Sequence, residues 1–293
     1  MTRPSEAALL PAGLQDVLPP DAAFEAGTVE RLMGCFAAHG YERVKPPLIE
    51  FESSLLSGPG AAMAAHTFRL MDPVTQRMLG VRADMTLQVA RIAASRLKNA
   101  PRPLRLSYAG QVLRVKGSQL QPERQLGQVG FELIGAPSAT ADAEVVLLAA
   151  EAIEAIGVVS LSIDLNLPTL APAISAGLGF AAENVEPLMA ALDRKDAAAV
   201  ETRAGPHARL FVDLLRAAGP ARRAIKRLGK LRLPPAAAAE RARLVDVVDL
   251  VLAAAPNLAL TVDPVEHRGF ESLSWSVSSS NGITRGRVRA QSL

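Results

Sequence analysis

The stretch "VLRVKGSQLQPERQLGQVGFELIG", residues 112–135, decides how the chain is read. Two runs of alternating character flank a polar loop that holds Pro122, the pattern of two strands joined by a long connection. Successive strand side chains point to opposite faces, so Val129, Phe131 and Leu133 share one face while Arg124, Gln128 and Glu132 share the other. The same parity puts Arg114 and Lys116 together on the first run. A sheet face lined by Arg, Gln and Glu is either wet or shaped for a ligand. Gly127 and Gly130 remove side-chain bulk where something could approach the backbone. A zwitterionic amino acid would need an anion partner such as Arg114 and a carboxylate such as Glu132. Both readings stay open on the residues alone.

Working outward, residues 66–86, "HTFRLMDPVTQRMLGVRADMT", read as a hairpin around "DPVT" and then a strand-to-helix junction, with Asp84 just ahead of a helix that Thr86 caps. Asp84 and Thr86 are either a capping cluster or a carboxylate and hydroxyl at the mouth of the same pocket. Further upstream, Asp21 is expected to cap an amphipathic helix that carries Phe24, Val29, Leu32, Met33 and Phe36 and ends at Gly40. "YERVKPPLIEF" follows as a strand stopped, or held at an edge, by Pro46 and Pro47. Downstream, Ser138 or Thr140 caps a helix that Gly157 stops, and "VSLSIDLNL" is a strand. Strands joined by hairpins, without a crossover helix after each, predict an α+β class with an antiparallel sheet flanked by helices. Residues 1–167 form this core and 168–256, almost wholly helical in pattern, a small inserted domain. Residues 257–271 return as a strand, and Arg268 in "HRGFE" is there either a surface cation or a pocket residue. The last 22 residues, 272–293, include seven serines and the only tryptophan, and are expected to be an altered or disordered tail, such as a shifted reading frame leaves.

The bulk numbers bound the function. In 293 residues 49% are apolar, enough for a core, and the net charge of +3 implies neither nucleic acid nor membrane without clustering. Charge does cluster over residues 201–243, where eleven Arg or Lys meet three Asp or Glu. The run reads as a solvated face or an acidic partner's docking face; no aromatic interleaves with Arg222, Arg223, Lys226 and Arg227 to stack bases. A single cysteine excludes a disulfide framework, and apolar runs broken by Glu144, Glu151, Asp246 and Asp249 exclude a membrane span, so a soluble, cytoplasmic protein is expected. The four histidines show no i, i+4 pair and no cysteine or carboxylate cluster at metal spacing, so no metal is expected. Phosphate-loop, dinucleotide and nucleophile-elbow motifs are missing, so no cofactor and no catalytic residue is nominated.

In order and spacing these stretches resemble the histidyl-tRNA synthetase core, and more closely its non-aminoacylating paralogue family, the regulatory subunits of ATP phosphoribosyltransferase. The likeness covers most of residues 11–271. "PAGLQDVLPPDA" looks like the N-terminal signature and "GYERVKPPLIEF" is similar to class II motif 1, used for dimerisation. "VRADMT" corresponds to the Arg-Pro-Glu-x-Thr segment, and residues 112–135 to motif 2.

The resemblance implies a class II synthetase-like fold and a histidine pocket formed by Asp84, Thr86, Arg114, Gln128, Glu132 and Arg268. Departures separate the two relatives. Lys116 stands where the synthetase has an adenine-recognising glutamate, and a cation there cannot accept the adenine amino protons. The expected protein therefore carries no chemistry. It binds the catalytic subunit of ATP phosphoribosyltransferase in a hetero-oligomer, dimerises through the motif 1 region, and answers to histidine as effector. No membrane or nucleic-acid partner is expected. The rivals are a true histidine-tRNA ligase and a truncated, inactive remnant of either.

Overall fold

The computed structural model describes residues 10–117, 122–266 and the strand 274–279. Arg268, in the expected return strand, and the expected tail apart from 274–279 lie outside the described residues. The chain divides into two compact units, one of residues 1–101 with 105–132, the other of residues 102–104 with 133–293. The second unit thus takes in the helical stretch 168–256 together with chain on both sides of it.

The first unit opens with helix α1 (Asp21–Ala38), which buries Met33 and Phe36. The position before it is Pro20, and no side chain caps the helix, so Asp21 sits inside the first turn and does not take the expected cap position. Its acidic charge there still favours the positive end of the helix. Gly40, with φ of 78°, turns the chain out at the far end as expected. The proline pair then splits the expected strand into β1 (Glu42–Arg43) and β2 (Ile49–Phe51). A short helix, α2 (Glu52–Leu55), leads to the hairpin of β3 (Arg69–Met71) and β4 (Met78–Val81), whose turn Asp72 holds by accepting from Val74 N and Thr75 Oγ1. Helix α3 (Thr86–Ser95) follows, then β5 (Leu104–Leu113) and β6 (Gln125–Ile134).

Two sheets result, ordered β2-β4-β3 and β1-β5-β6. Arg114 N donates to Arg124 O, while a side chain at Gly127 would face Gln111 and one at Gly130 would face Tyr108. Numbers fall on β6 as they rise on β5, so these two strands run antiparallel, as the quoted stretch predicts. β1, by contrast, lies parallel to β5. The sheets are joined where Arg82 N donates to Leu48 O and Arg82 O accepts from Leu113 N, both at 3.0 Å. On the apolar face of β6, Phe131 packs on Phe36 at 4.7 Å and Tyr41 at 5.1 Å. Burying a ring of that size contributes about 2–3 kcal/mol, which seats α1 on the sheet.

The second unit holds α4 (Ala139–Ala155), β7 (Leu161–Asn166), α5 (Leu170–Gly177), α6 (Ala182–Asp193), α7 (Ala197–Ala204), α8 (Ala208–Ala217), β8 (Gly219–Pro220), α9 (Ala221–Leu228), α10 (Pro235–Ala254), β9 (Ala259–Asp263) and β10 (Ser274–Ser279). Ser138 caps α4 by accepting from Ala141 N, and Gly157 follows its end with φ of 90°. The sheet order is β10-β7-β9-β8, with β7 and β9 parallel and the outer pairs antiparallel. The α+β class therefore stands, with parallel pairs inside sheets that the hairpins alone led one to expect antiparallel. β10 corrects a second expectation, since six residues of the stretch read as irregular pair in register with β7. Among the described residues no helix is long and apolar enough to cross a membrane. Helix α9 buries Ala221, Ala224 and Leu228 and exposes Arg222, Arg223, Lys226 and Arg227.

Candidate functional site

Helix α3 and the stretches of β5 and β6 that belong to the first unit bring Asp84, Thr86, Gln128 and Glu132 together. Asp84 lies two residues before α3 and accepts the Thr86 N–H at 2.8 Å, so it satisfies a helix-end donor, the capping role first given to Thr86. The same Asp84 oxygen accepts from Gln128 Nε2 at 3.2 Å. Gln128 closes the loop by accepting the Met85 N–H at 2.8 Å. One amide from β6 therefore fixes both the carboxylate and the backbone at the mouth of α3.

A second chain of bonds runs beneath. The Thr86 hydroxyl meets Tyr108 OH at 3.0 Å, and Tyr108 OH donates to Glu132 Oε1 at 3.0 Å. Thr86, Tyr108 and Glu132 are 3%, 2% and 2% exposed, which rules out a simply wet face at this end of the hairpin. Burial pushes the Tyr108 phenol well above its usual range, and the Glu132 and Asp84 carboxylates push it further. Tyr108 is thus a neutral donor held between carboxylates. Its ring lies where a β6 side chain would otherwise stand: a Cβ at Gly130 would come within 2.6 Å of Tyr108 Cζ.

Beside this cluster the Arg82 guanidinium takes the space over Gly110, where a Cβ would collide with Nη2. Its Nε donates to Gln111 O at 2.7 Å and its Nη1 to Pro46 O at 3.0 Å. Burial lowers its pKa, and Glu50 partly restores it. Glu50 in turn is gripped by Arg91 Nε and Nη2 and by Gln88 Nε2, the last at 2.9 Å. These cations position backbone and strands, Arg82 by donating to two carbonyls and Arg91 by donating to Glu50.

Arg114 lies just past the end of β5, half-exposed, at the parity of Tyr108 and Gly110. It lies four residues beyond the point opposite Gln128, roughly 13 Å along the strand. Arg124, on the polar face of the hairpin, holds the N-terminal segment: its backbone N donates to Gly13 O at 2.7 Å and its Nη1 to Ala12 O at 3.1 Å. Lys116 is exposed past β5. Tyr108, Arg82 and Glu50 escaped the sequence reading. Parity along β5 could have found Tyr108, which shares its face with Arg114; nothing local marks Glu50, whose partners are 38 and 41 residues away. Cys35 on α1 and His39 just past its end, four apart with His39 Nδ1 3.0 Å from Cys35 O, were likewise passed over as a spacing.

The arrangement offers carboxylates, a hydroxyl and an amide fixed before any ligand arrives, which suits recognition of a small molecule rich in N–H groups.

The histidyl-tRNA synthetase family model matches residues 13–279. The ATP phosphoribosyltransferase regulatory subunit of Paramagnetospirillum magneticum is 60% identical over 98% of this chain and 77% of its own length. That of Rhodospirillum centenum is 61% identical over 90% of this chain and 68% of its own length. Among solved structures, an ATP phosphoribosyltransferase regulatory subunit/histidyl-tRNA synthetase from Bacillus halodurans superposes with a TM-score of 0.81 at 22% identity, covering 96% of this chain and 74% of that one. At that identity the likeness is one of fold.

Proposed function

We propose, for a chain that belongs to the histidyl-tRNA synthetase family and, within it, to the regulatory subunits of ATP phosphoribosyltransferase, that the buried cluster on α3, β5 and β6 senses histidine and performs no reaction. The chain serves the first step of histidine biosynthesis by binding the separate catalytic subunit, raising its activity and passing on feedback inhibition. The observation that carries the pocket is the bonded chain Thr86–Tyr108–Glu132, closed at the α3 mouth by Asp84 and Gln128. Asp84 and Thr86 take the histidine ammonium; Gln128 and Glu132 line the strand side, with Glu132 accepting an imidazole N–H. Arg114 answers the carboxylate; Arg268, which the resemblance gives to the same pocket, lies outside the described residues. Self-association uses the motif 1 region, residues 40–51.

Aminoacylation needs a group that reads adenine, and the residue at that place by resemblance is Lys116, a donor that cannot accept the adenine amino protons. The purified chain is therefore expected to show no histidine-dependent ATP–pyrophosphate exchange; robust exchange would restore the ligase reading. Feedback requires histidine to bind two assembly states with different affinities. Accordingly, adding the catalytic subunit shifts the histidine dissociation constant, and an unchanged constant would remove the regulatory part of the proposal.

A further inference from the structure

A cavity of about 550 Å³ opens in the first unit, lined from β2, β4 and α3 and from the proline pair ahead of β2. Its floor is apolar. Ile49 and Phe51 are two apart on β2 and Phe51 pairs with Leu79 on β4, so the three side chains share one sheet face. Ile92 on α3 joins them in the lining, and each of the four is exposed or half-buried. The Phe51 ring is held from one side by Arg77, whose Cζ lies 3.6 Å from the ring centroid.

Charge surrounds this floor unevenly. Lys45, Arg91 and Arg96 line the cavity against one carboxylate, Glu50. Arg91 pairs with Glu50, while Lys45 and Arg96 are exposed and make no ion pair among the described residues. Arg96 follows Ile92 by four residues at the end of α3, so it stands one turn beyond Ile92 on the same helix face. Two positive charges are left without a counter-charge beside an apolar surface. The proline wall is fixed before any ligand arrives, because Pro46 O accepts from Arg82 Nη1 at 3.0 Å and Pro47 O from Gln88 Nε2 at 2.8 Å.

We propose that this cavity binds a small aromatic phosphate monoester, its ring against Ile49, Phe51, Leu79 and Ile92 and its phosphate answered by Lys45 and Arg96. A phosphate monoester carries a charge of about −1.5 to −2 at pH 7, which matches two cations; a carboxylate would leave one of them unanswered. The volume falls in the range of small-molecule sites and exceeds what an inorganic ion would fill. None of Asp84, Thr86, Tyr108, Gln128 or Glu132 lines the cavity, so the site stands without the histidine reading. Residues 45–51 do belong to the stretch assigned to self-association, which makes a second copy the rival occupant.

Calorimetric titration of phenyl phosphate into the full chain tests the proposal, with inorganic phosphate and phenol as the two halves of the ligand. A saturable one-site isotherm is expected, at least tenfold tighter than with either half. Lys45→Ala and Arg96→Ala, both at exposed positions where the fold does not depend on the side chain, should each weaken it at least fivefold. Lys226→Ala, which removes an exposed cation from α9 in the second unit, should leave it unchanged. Equal affinity for inorganic phosphate, an isotherm that survives both first-unit substitutions, the same loss in Lys226→Ala, or no heat because a second copy covers the cavity would each overturn the proposal.

Discussion

Tyr108 and Gly130 form one unit across two strands. The ring needs the space that a Cβ at position 130 would take, so Gly130→Ala forces the phenol away from Glu132. Overpacking of this kind costs about 1–3 kcal/mol, read as a lowered denaturation midpoint, and histidine binding should fall with it. Tyr108 also leaves a signature in alkali. Its folded pKa is raised, so its contribution to stability is fully present below the unfolded value of about 10 and is lost as pH climbs toward the folded one. Urea unfolding of the wild type should weaken above about pH 10, and Tyr108→Phe should remove part of that decline. At this scale the sequence was half legible. Parity separated Phe131 from Glu132 correctly. It gave no warning that Glu132 would be 2% exposed, because the burial comes from Tyr108 and Thr86, which lie 24 and 46 residues away in sequence.

Local signals placed most elements: the Asp72 turn, the Ser138 cap, and glycines at 40 and 157 in the left-handed region that a helix end requires. Pairing between distant segments was not legible, since nothing in Glu42–Arg43 announces a parallel partner at Leu106–Ser107. Within the second unit, α4 and α10 are tied by Arg243, whose Nη2 lies 2.7 Å from Asp142 Oδ2. Burial raises the Asp142 pKa, outweighing the pull of Arg243 in the other direction. Arg243→Ala strands that carboxylate at a cost of about 3 kcal/mol, the low end for a broken buried pair because the arginine is about a third exposed. A carboxyl with raised folded pKa favours the fold below its unfolded value and loses that advantage as pH rises. The penalty of Arg243→Ala should therefore shrink when unfolding is measured in acid, and a penalty independent of pH would assign the effect to lost packing.

Over the whole chain, the order of motifs carried more than any one of them. "VRADMT" alone is a helix start and residues 112–135 alone are a hairpin; together, at their spacing, they pointed to the family that the 60% identical relative also represents. The regulatory role rests on that kinship, and the pocket on the fixed acceptors around Tyr108. Calorimetric titration of histidine into the purified chain and its Glu132→Gln variant tests that pocket most directly. The account predicts a saturable one-site isotherm for the wild type and at least a tenfold weaker one for the variant, whose amide keeps the shape but loses the charge. Absence of heat with the wild type, or identical isotherms for the two proteins, would contradict it.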